Sequence, residues 1–156
     1  MNWKLPVITA AGVAFGALAG ATYAKQGKPE YVLVPAGQAK FAPLDPKLGD
    51  KGPQFAVISG DPKTGPTAGL LKLGKGASPI HYHSSDYYAV TVEGQTRHWL
   101  PGKEADSKAS GPGTAWFQPG GSAATAHGDE CVTDSCTVFI FMPGKFDLQL
   151  PPPAKK

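Results

Sequence analysis

Glycine and proline are the residues that most restrict the fold of this chain. The 156 residues include 20 glycines and 16 prolines, so almost one position in four interrupts regular secondary structure. In a helix interior, glycine costs roughly 1 kcal/mol and proline about 3 kcal/mol relative to alanine. This density excludes a helical bundle or coiled coil and disfavours a doubly wound α/β sheet. Because 41% of the residues are apolar, the chain can still build a core, and an all-β fold is expected.

Short apolar runs between glycine and proline turns predict the strands of this fold. Apolar and polar residues alternate over 87–93, and Gly94-Gln95 turns this strand into a second one over 96–100. Further strands are predicted over 31–34, 54–59, 67–73, 115–118 and 137–142, with a short one at Cys131. Such spacing is typical of a barrel or sandwich, and the chain is too short for a second sizeable core.

The first residues have the pattern of a secretory signal peptide. Lys4 precedes an uncharged stretch over 5–21, and small residues at Thr22 and Ala24 suit cleavage after Ala24, with a second possible site at 17–19. We therefore expect a signal peptide over 1–24 and one domain over 25–156, with its core over about residues 30–150. The alternative is a retained membrane anchor, which the short, glycine-rich apolar stretch does not favour. The expected location is periplasmic or secreted.

The only two cysteines, Cys131 and Cys136, enclose four residues between two apolar runs. Cysteines that flank a hairpin turn can come close enough to bond, and an exported protein meets oxidising conditions. A disulfide between them is therefore expected. The alternative is half of a zinc site, but the chain has no second cysteine pair.

The formal net charge of +3 points to no macromolecular partner. Basic residues are scattered singly and form no stripe interleaved with aromatic residues, so nucleic-acid binding is not expected. We expect a small-molecule ligand or substrate and no stable membrane anchor. The sequence also contains no G-x-S-x-G nucleophile motif and no phosphate-binding glycine-rich loop.

Three of the four histidines are spaced as a metal site would require. His81 and His83 are two residues apart, so on an extended strand their imidazoles point to one face and can reach one ion. A hydrogen-bonded pair of surface histidines is the alternative. His127 is the third candidate. His98, on the strand after this pair, is expected to be satisfied by hydrogen bonds or to face solvent rather than to bind metal.

Two segments around these histidines resemble the motifs of the cupin superfamily. The first covers 76–94, with glycine at each end, the H-x-H pair and an acidic residue after it. The second covers 113–121, from Gly113 to the Pro-x-Gly turn, and His127 follows it. The likeness is strongest to small, exported, single-domain bacterial cupins, most of them of uncharacterised function. It implies a single antiparallel, jelly-roll-type β-barrel with a metal ion inside.

The resemblance assigns His81, His83 and His127 to one divalent metal ion, and it leaves iron, manganese, nickel and zinc open. The position of the family's usual glutamate ligand is Tyr87 here, so either the neighbouring Asp86 binds instead or the site has three histidines alone. Tyr87 and Gln118 are expected beside the metal or its ligand. His127 lies six residues after Gly121, later than the family pattern, so the small residues 122–126 are expected to bulge out.

The resemblance also implies a metal-dependent function. Three neutral imidazoles leave the ion its full charge and leave open positions for dioxygen or a chelating anion. One expectation is a non-haem metal-dependent dioxygenase acting on a small anionic or dicarbonyl-type substrate. The alternative is a non-catalytic, metal-containing cupin that binds or senses a small extracytoplasmic ligand. A homodimer is expected from the resemblance alone, because such barrels commonly cover their edge strands with a second copy.

Overall fold

The computed structural model describes residues 30–35 and 37–153. The expected signal peptide, residues 1–24, lies outside the described residues. The strands all belong to one compact unit, Val32–Lys156. The division into a signal peptide and a domain over 25–156 therefore stays a prediction.

Seven antiparallel strands form one sheet: β1 (Ala42–Pro43), β2 (Gln54–Gly60), β3 (Thr67–Ala77), β4 (Tyr87–Glu93), β5 (Thr96–Trp99), β6 (Ala115–Gln118) and β7 (Gly128–Met142). Their order is β1-β2-β3-β7-β4-β6, and β5 also pairs with β7. Among the described residues, β1 and β6 do not pair with each other, so hydrogen bonds do not close the sheet. The all-β, antiparallel class is confirmed.

The helical segments are three short 3₁₀ helices, at Gly49–Lys51, Glu104–Asp106 and Ala123–Thr125. In the part of the chain that the structure describes, no helix has the length and apolar character needed to span a membrane. The high glycine and proline content therefore has the effect that the sequence predicts, because the described chain is built from strands and turns.

The longest strand, β7, organises the sheet. One of its sides pairs with β3, and the other pairs with β4 near its C-terminal end and with β5 over 128–131. Between these partners, residues 132–134 lie opposite the single residue Lys75 of β3. The expected Cys131–Cys136 disulfide is present and closes this segment. The expected hairpin turn is wrong, because β7 runs antiparallel to β3 on both sides of the disulfide, which makes the segment a bulge within one strand.

Most strand predictions are confirmed within a few residues, but residues 31–34 form no strand. Tyr31 is 88% exposed and Leu33 is 70% exposed. Strand pairs are stabilised by burial of one face as well as by hydrogen bonds, and this apolar run has neither. On β4, by contrast, Tyr87, Ala89 and Thr91 are buried while Tyr88 is exposed, so the alternation in the sequence does mark an inner face.

The inner faces of β2, β4 and β7 pack together as a core. Its buried members are Phe55, Tyr87, Ala89, Val138, Ile140 and Met142. Tyr87 belongs to this core through its ring and also reaches the histidines through its hydroxyl. The site described next therefore lies at one end of the core.

Candidate metal centre

Two backbone segments distant in sequence bring three histidines together. His81 and His127 form an isolated antiparallel bridge, in which the amide of each donates to the carbonyl of the other, at 2.9 Å and 2.8 Å. His83 lies two residues after His81. All three residues are buried, and one ring nitrogen from each lies within 4.8 Å of the others. The structure thus brings together the three histidines that the sequence proposes as ligands.

The extra residues before His127, residues 122–126, form a loop whose two ends lie close together. The amide of Gly121 donates to the carbonyl of His83 at 2.8 Å, so the loop begins beside the H-x-H pair and ends at its bridge to His81. Between these points the chain makes one 3₁₀ turn, and the hydroxyl of Ser122 accepts a hydrogen bond from the amide of Ala124. The longer spacing therefore bulges outward and leaves His127 in the site.

Backbone carbonyls hold the outer ring nitrogen of each histidine. Each Nδ1–H donates to a carbonyl oxygen: that of His81 to Pro79 at 2.8 Å, that of His127 to Thr125 at 3.4 Å and that of His83 to Asp147. This arrangement selects the neutral tautomer whose lone pair is on Nε2, which is the form that binds metals. Burial lowers the pKa of His83 and lowers the pKa of His127 to about 4, which keeps both rings neutral at pH 7.

This donor set fits a divalent transition metal ion. Three neutral imidazoles with free Nε2 lone pairs are a common ligand set for such ions, and iron, nickel and zinc all accept it. The fit rests on the chemistry of the donors, and it does not identify the ion.

Tyr87 stands next to this set. Its side chain is buried, its hydroxyl lies 3.1 Å from Nε2 of His127, and Nε1 of Trp116 donates to the same hydroxyl at 3.4 Å. Burial raises the pKa of the Tyr87 phenol well above its usual value, so the hydroxyl stays protonated. A protonated phenol at this position can donate a hydrogen bond into the metal site.

Asp86 points elsewhere. The residue is exposed, and its carboxylate accepts a hydrogen bond from the amide of Gly120 at 2.8 Å. A side chain on Gly120 would meet the backbone of Ser85 at 2.2 Å, which is why this close approach needs glycine. Asp86 is not among the described residues whose ligand atoms cluster with the histidines. Its contact with Gly120 instead fixes the loop after β6 against the start of β4.

Another acid, Asp129, lies in the site, and we did not predict it from the sequence. Its Oδ2 is 3.5 Å from Nε2 of His81 and 3.8 Å from Nε2 of His127. Its Oδ1 accepts a hydrogen bond from Nδ1 of His98 at 2.6 Å. The signal available in the sequence was its position two residues after His127, which places the two side chains on one side of an extended segment.

Gln118 fixes the orientation of His98. Its amide nitrogen donates to the carbonyls of Thr125 at 2.8 Å and Pro119 at 3.2 Å, so its Oε1 faces Nε2 of His98 at 2.9 Å. Both ring nitrogens of His98 therefore face acceptor oxygens. The protonated ring carries a hydrogen on each nitrogen, so it can donate to both acceptors. Burial is the largest single influence and opposes this charge, but the hydrogen bond to Asp129, the negative charge of Asp129 and the hydrogen bond to Gln118 together raise the pKa of His98. Burial likewise opposes the Asp129 carboxylate, yet the facing histidines lower its pKa.

A cavity of about 770 Å³ opens onto His81, His83, Tyr87 and Asp129. Its other walls are largely apolar and include Leu71, Leu73, Trp116, Val138, Ile140 and Phe146. Cavities of this size that combine apolar walls with a few convergent polar groups are typical of small-molecule sites. The polar groups here include His81, His83, Asp129 and the Tyr87 hydroxyl.

No family model and no curated protein matches the chain. Solved structures do match. An RmlC-like cupin from Shewanella frigidimarina is 19% identical, with a TM-score of 0.53 over 74% of this chain and 93% of that one. The chain has the cupin fold. The fold that the two motifs imply is thereby confirmed.

Other solved structures with this fold are named for different activities. An acetylacetone dioxygenase from Acinetobacter johnsonii is 15% identical, with a TM-score of 0.59 over 88% of each chain. The polyketide cyclase RemF from Streptomyces resistomycificus is 18% identical, with a TM-score of 0.58 over 78% of this chain and 85% of that one. At such identities the likeness shows the cupin fold alone, and the function of this chain must be argued from its own site.

Proposed function

We propose that this cupin binds one divalent transition metal ion through Nε2 of His81, His83 and His127. The observation that carries the proposal is the hydrogen bonding of the three rings. Each Nδ1–H is held by a backbone carbonyl, which leaves three neutral Nε2 donors close together in a buried site. A structural histidine cluster would not need the Nε2 lone pairs of His81 and His83 to remain without a hydrogen-bond donor among the described residues.

We further propose that the metal centre takes a small anionic or dicarbonyl-type substrate and that the protein acts as a dioxygenase. The bound ion would supply positive charge and open positions for a chelating substrate and dioxygen. The three imidazoles add no negative charge, and the raised pKa of His98 favours a positive charge beside the Asp129 carboxylate. An anionic head group is therefore favoured at the centre, and the apolar walls suit an apolar remainder of the substrate.

Tyr87 has a defined part in this proposal. Its hydroxyl donates to Nε2 of His127 in the present structure. With a metal ion held by that nitrogen, the phenol proton would be free to bond to an anionic ligand. The raised pKa of Tyr87 keeps the proton in place at neutral pH. Tyr87 can thus orient an anion. A carboxylate at the same position, in addition to that of Asp129, would repel it.

The protein is proposed to act outside the cytoplasm. The Cys131–Cys136 disulfide supports an oxidising compartment, as in the periplasm or outside the cell. Cleavage after Ala24 and a homodimeric state belong to the same proposal. Mass determination of the mature protein and light scattering test these two points.

The test begins with metal content. Protein purified from its native compartment without a polyhistidine tag is expected to hold about one divalent ion per chain, and a His81→Ala, His83→Ala double variant is expected to hold none. Protein loaded anaerobically with iron is then expected to consume dioxygen with a β-diketone or a small thiol. Metal retention by the double variant would overturn the metal site. Tight ligand binding without product, with every redox metal, would overturn the dioxygenase and support the ligand-binding alternative.

A further inference from the structure

We propose that Asp129 is a direct ligand of the metal ion and supplies the carboxylate that Tyr87 does not. The inference rests on the three-histidine centre proposed above. It changes the centre from three nitrogen donors to three nitrogens and one oxygen, and it takes that oxygen from the strand after His127 rather than from the segment around Asp86.

The distances from Asp129 to two of the three histidines are those of neighbouring ligands on one ion. Oδ2 of Asp129 lies 3.5 Å from Nε2 of His81 and 3.8 Å from Nε2 of His127. Two donors bonded at about 2.1 Å to the same ion are about 3.4 Å apart at a tetrahedral angle. The carboxylate oxygen is therefore within a few tenths of an ångström of a ligand position with respect to both nitrogens.

The arrangement of acceptors at this point favours a cation. The Nδ1–H groups of His81 and His127 are engaged by backbone carbonyls, so both Nε2 atoms carry lone pairs. Oδ2 of Asp129 faces these lone pairs, which brings three acceptors together. The Tyr87 hydroxyl is a donor, but it serves only His127. A cation between the three acceptors is favourable, whereas a carboxylate facing two lone pairs without one is repulsive.

The other carboxylate oxygen is held away from the site. In the sheet register, His98 of β5 lies directly opposite Asp129 of β7, and its Nδ1–H bonds to Oδ1 at 2.6 Å. The backbone of Asp129 is also fixed, because its amide donates to the hydroxyl of Ser78 and its carbonyl accepts from the amide of Ser78. With the backbone and Oδ1 held, Oδ2 is the oxygen left for the ion.

Asp86 lacks these properties. Its oxygen is bonded to the amide of Gly120, and its side chain is exposed. Asp129 lines the cavity together with His81 and His83. The two aspartates therefore make a matched pair for experiments. Asp129 lies at the proposed centre, whereas Asp86 has the same side chain and lies away from it.

Metal affinity tests the proposal. We would measure the zinc affinity of the full chain by competition with a chromophoric chelator, for the wild type, Asp129→Asn and Asp86→Asn. Asp129→Asn is expected to bind zinc at least about tenfold more weakly, and Asp86→Asn is expected to match the wild type. Zinc affinity within threefold of wild type in Asp129→Asn would overturn the proposal, as would an equal loss in Asp86→Asn.

A second measurement detects direct bonding, and it stands even if Asp129→Asn folds poorly. Asp129→Cys loaded with Co²⁺ is expected to show an intense thiolate-to-cobalt charge-transfer band, because that band requires sulfur bonded to the metal. Asp86→Cys is the matched control and is expected to show none. Absence of the band from cobalt-loaded Asp129→Cys overturns direct ligation. An incorrect assignment of the three-histidine site gives a different result. In that case the double variant His81→Ala, His83→Ala would still bind zinc.

Discussion

The two ends of β7 have opposite characters although they belong to one strand. Its C-terminal end places Val138, Ile140 and Met142 in the apolar core. Its N-terminal end begins directly after His127 and places Asp129 against His81 and His98. The disulfide-closed bulge lies between them.

This comparison shows how a small sheet supports a polar site. Apolar side chains at the core end need only close packing, and they stabilise the fold without specific partners. At the metal end, Asp129 depends on specific hydrogen-bond partners, and His98 and Gln118 serve to hold it. A change at one end should therefore leave the property of the other end intact.

The largest loss of stability is expected at the core end. Met142 is fully buried, so Met142→Ala leaves a cavity and is expected to lower the free energy of unfolding by about 2–5 kcal/mol. Zinc bound per folded chain is expected to stay unchanged. Chemical denaturation and chelator competition measure the two quantities. A loss of zinc affinity that accompanies the loss of stability would show that the two ends are coupled.

Acid is expected to act at the metal end. The pKa of His127 is lowered to about 4 by burial, so between about pH 6.5 and 4 the unfolded chain binds a proton that the folded, metal-free chain does not. Stability must therefore fall as the pH falls through this window, by up to about 1.4 kcal/mol per pH unit for one proton.

His127→Gln isolates this contribution. The variant of the metal-free protein is expected to show a shallower slope of unfolding free energy against pH between about pH 6.5 and 4. His83 has a lowered pKa as well, so part of the slope remains. Equal slopes for the wild type and His127→Gln would contradict the prediction.

The disulfide lies between the two ends, and its removal is expected to have a moderate effect. Closing so short a loop stabilises the folded state by roughly 2 kcal/mol in the chain-entropy account. Cys131→Ser, Cys136→Ser is expected to lose about that much stability, as thermal unfolding would show. Because Cys131 lies two residues from Asp129, a small change in zinc affinity is also expected, and a stability equal to wild type would contradict the prediction.

The smallest effect is expected at His98, which touches Asp129 rather than the proposed ion. His98→Gln is expected to weaken zinc binding by about tenfold, because Oδ1 of Asp129 loses a charged donor. His98→Gln, Asp129→Asn together should be no worse than Asp129→Asn alone, since both changes act through one carboxylate. Additive losses in chelator competition would mean that His98 acts on the metal independently.

Much of the fold could be predicted from local patterns. The alternation over 87–93 gave β4 with its inner face, because one face of that strand is buried. The apolar run over 31–34 gave a wrong strand, because the run has no sheet neighbour to pair with. The cysteines gave the correct disulfide but the wrong hairpin, because only pairing with β3 reveals that the chain does not reverse direction.

The sequence by itself determined the antiparallel β class, the shared face of His81 and His83, and the cysteine pair. These depend on spacings of a few residues, over which the pleat of a strand dictates side-chain direction. Only the tertiary structure decided which aspartate approaches the histidines. That choice depends on the bridge between His81 and His127 and on the register that sets His98 opposite Asp129, both of which join residues more than thirty positions apart.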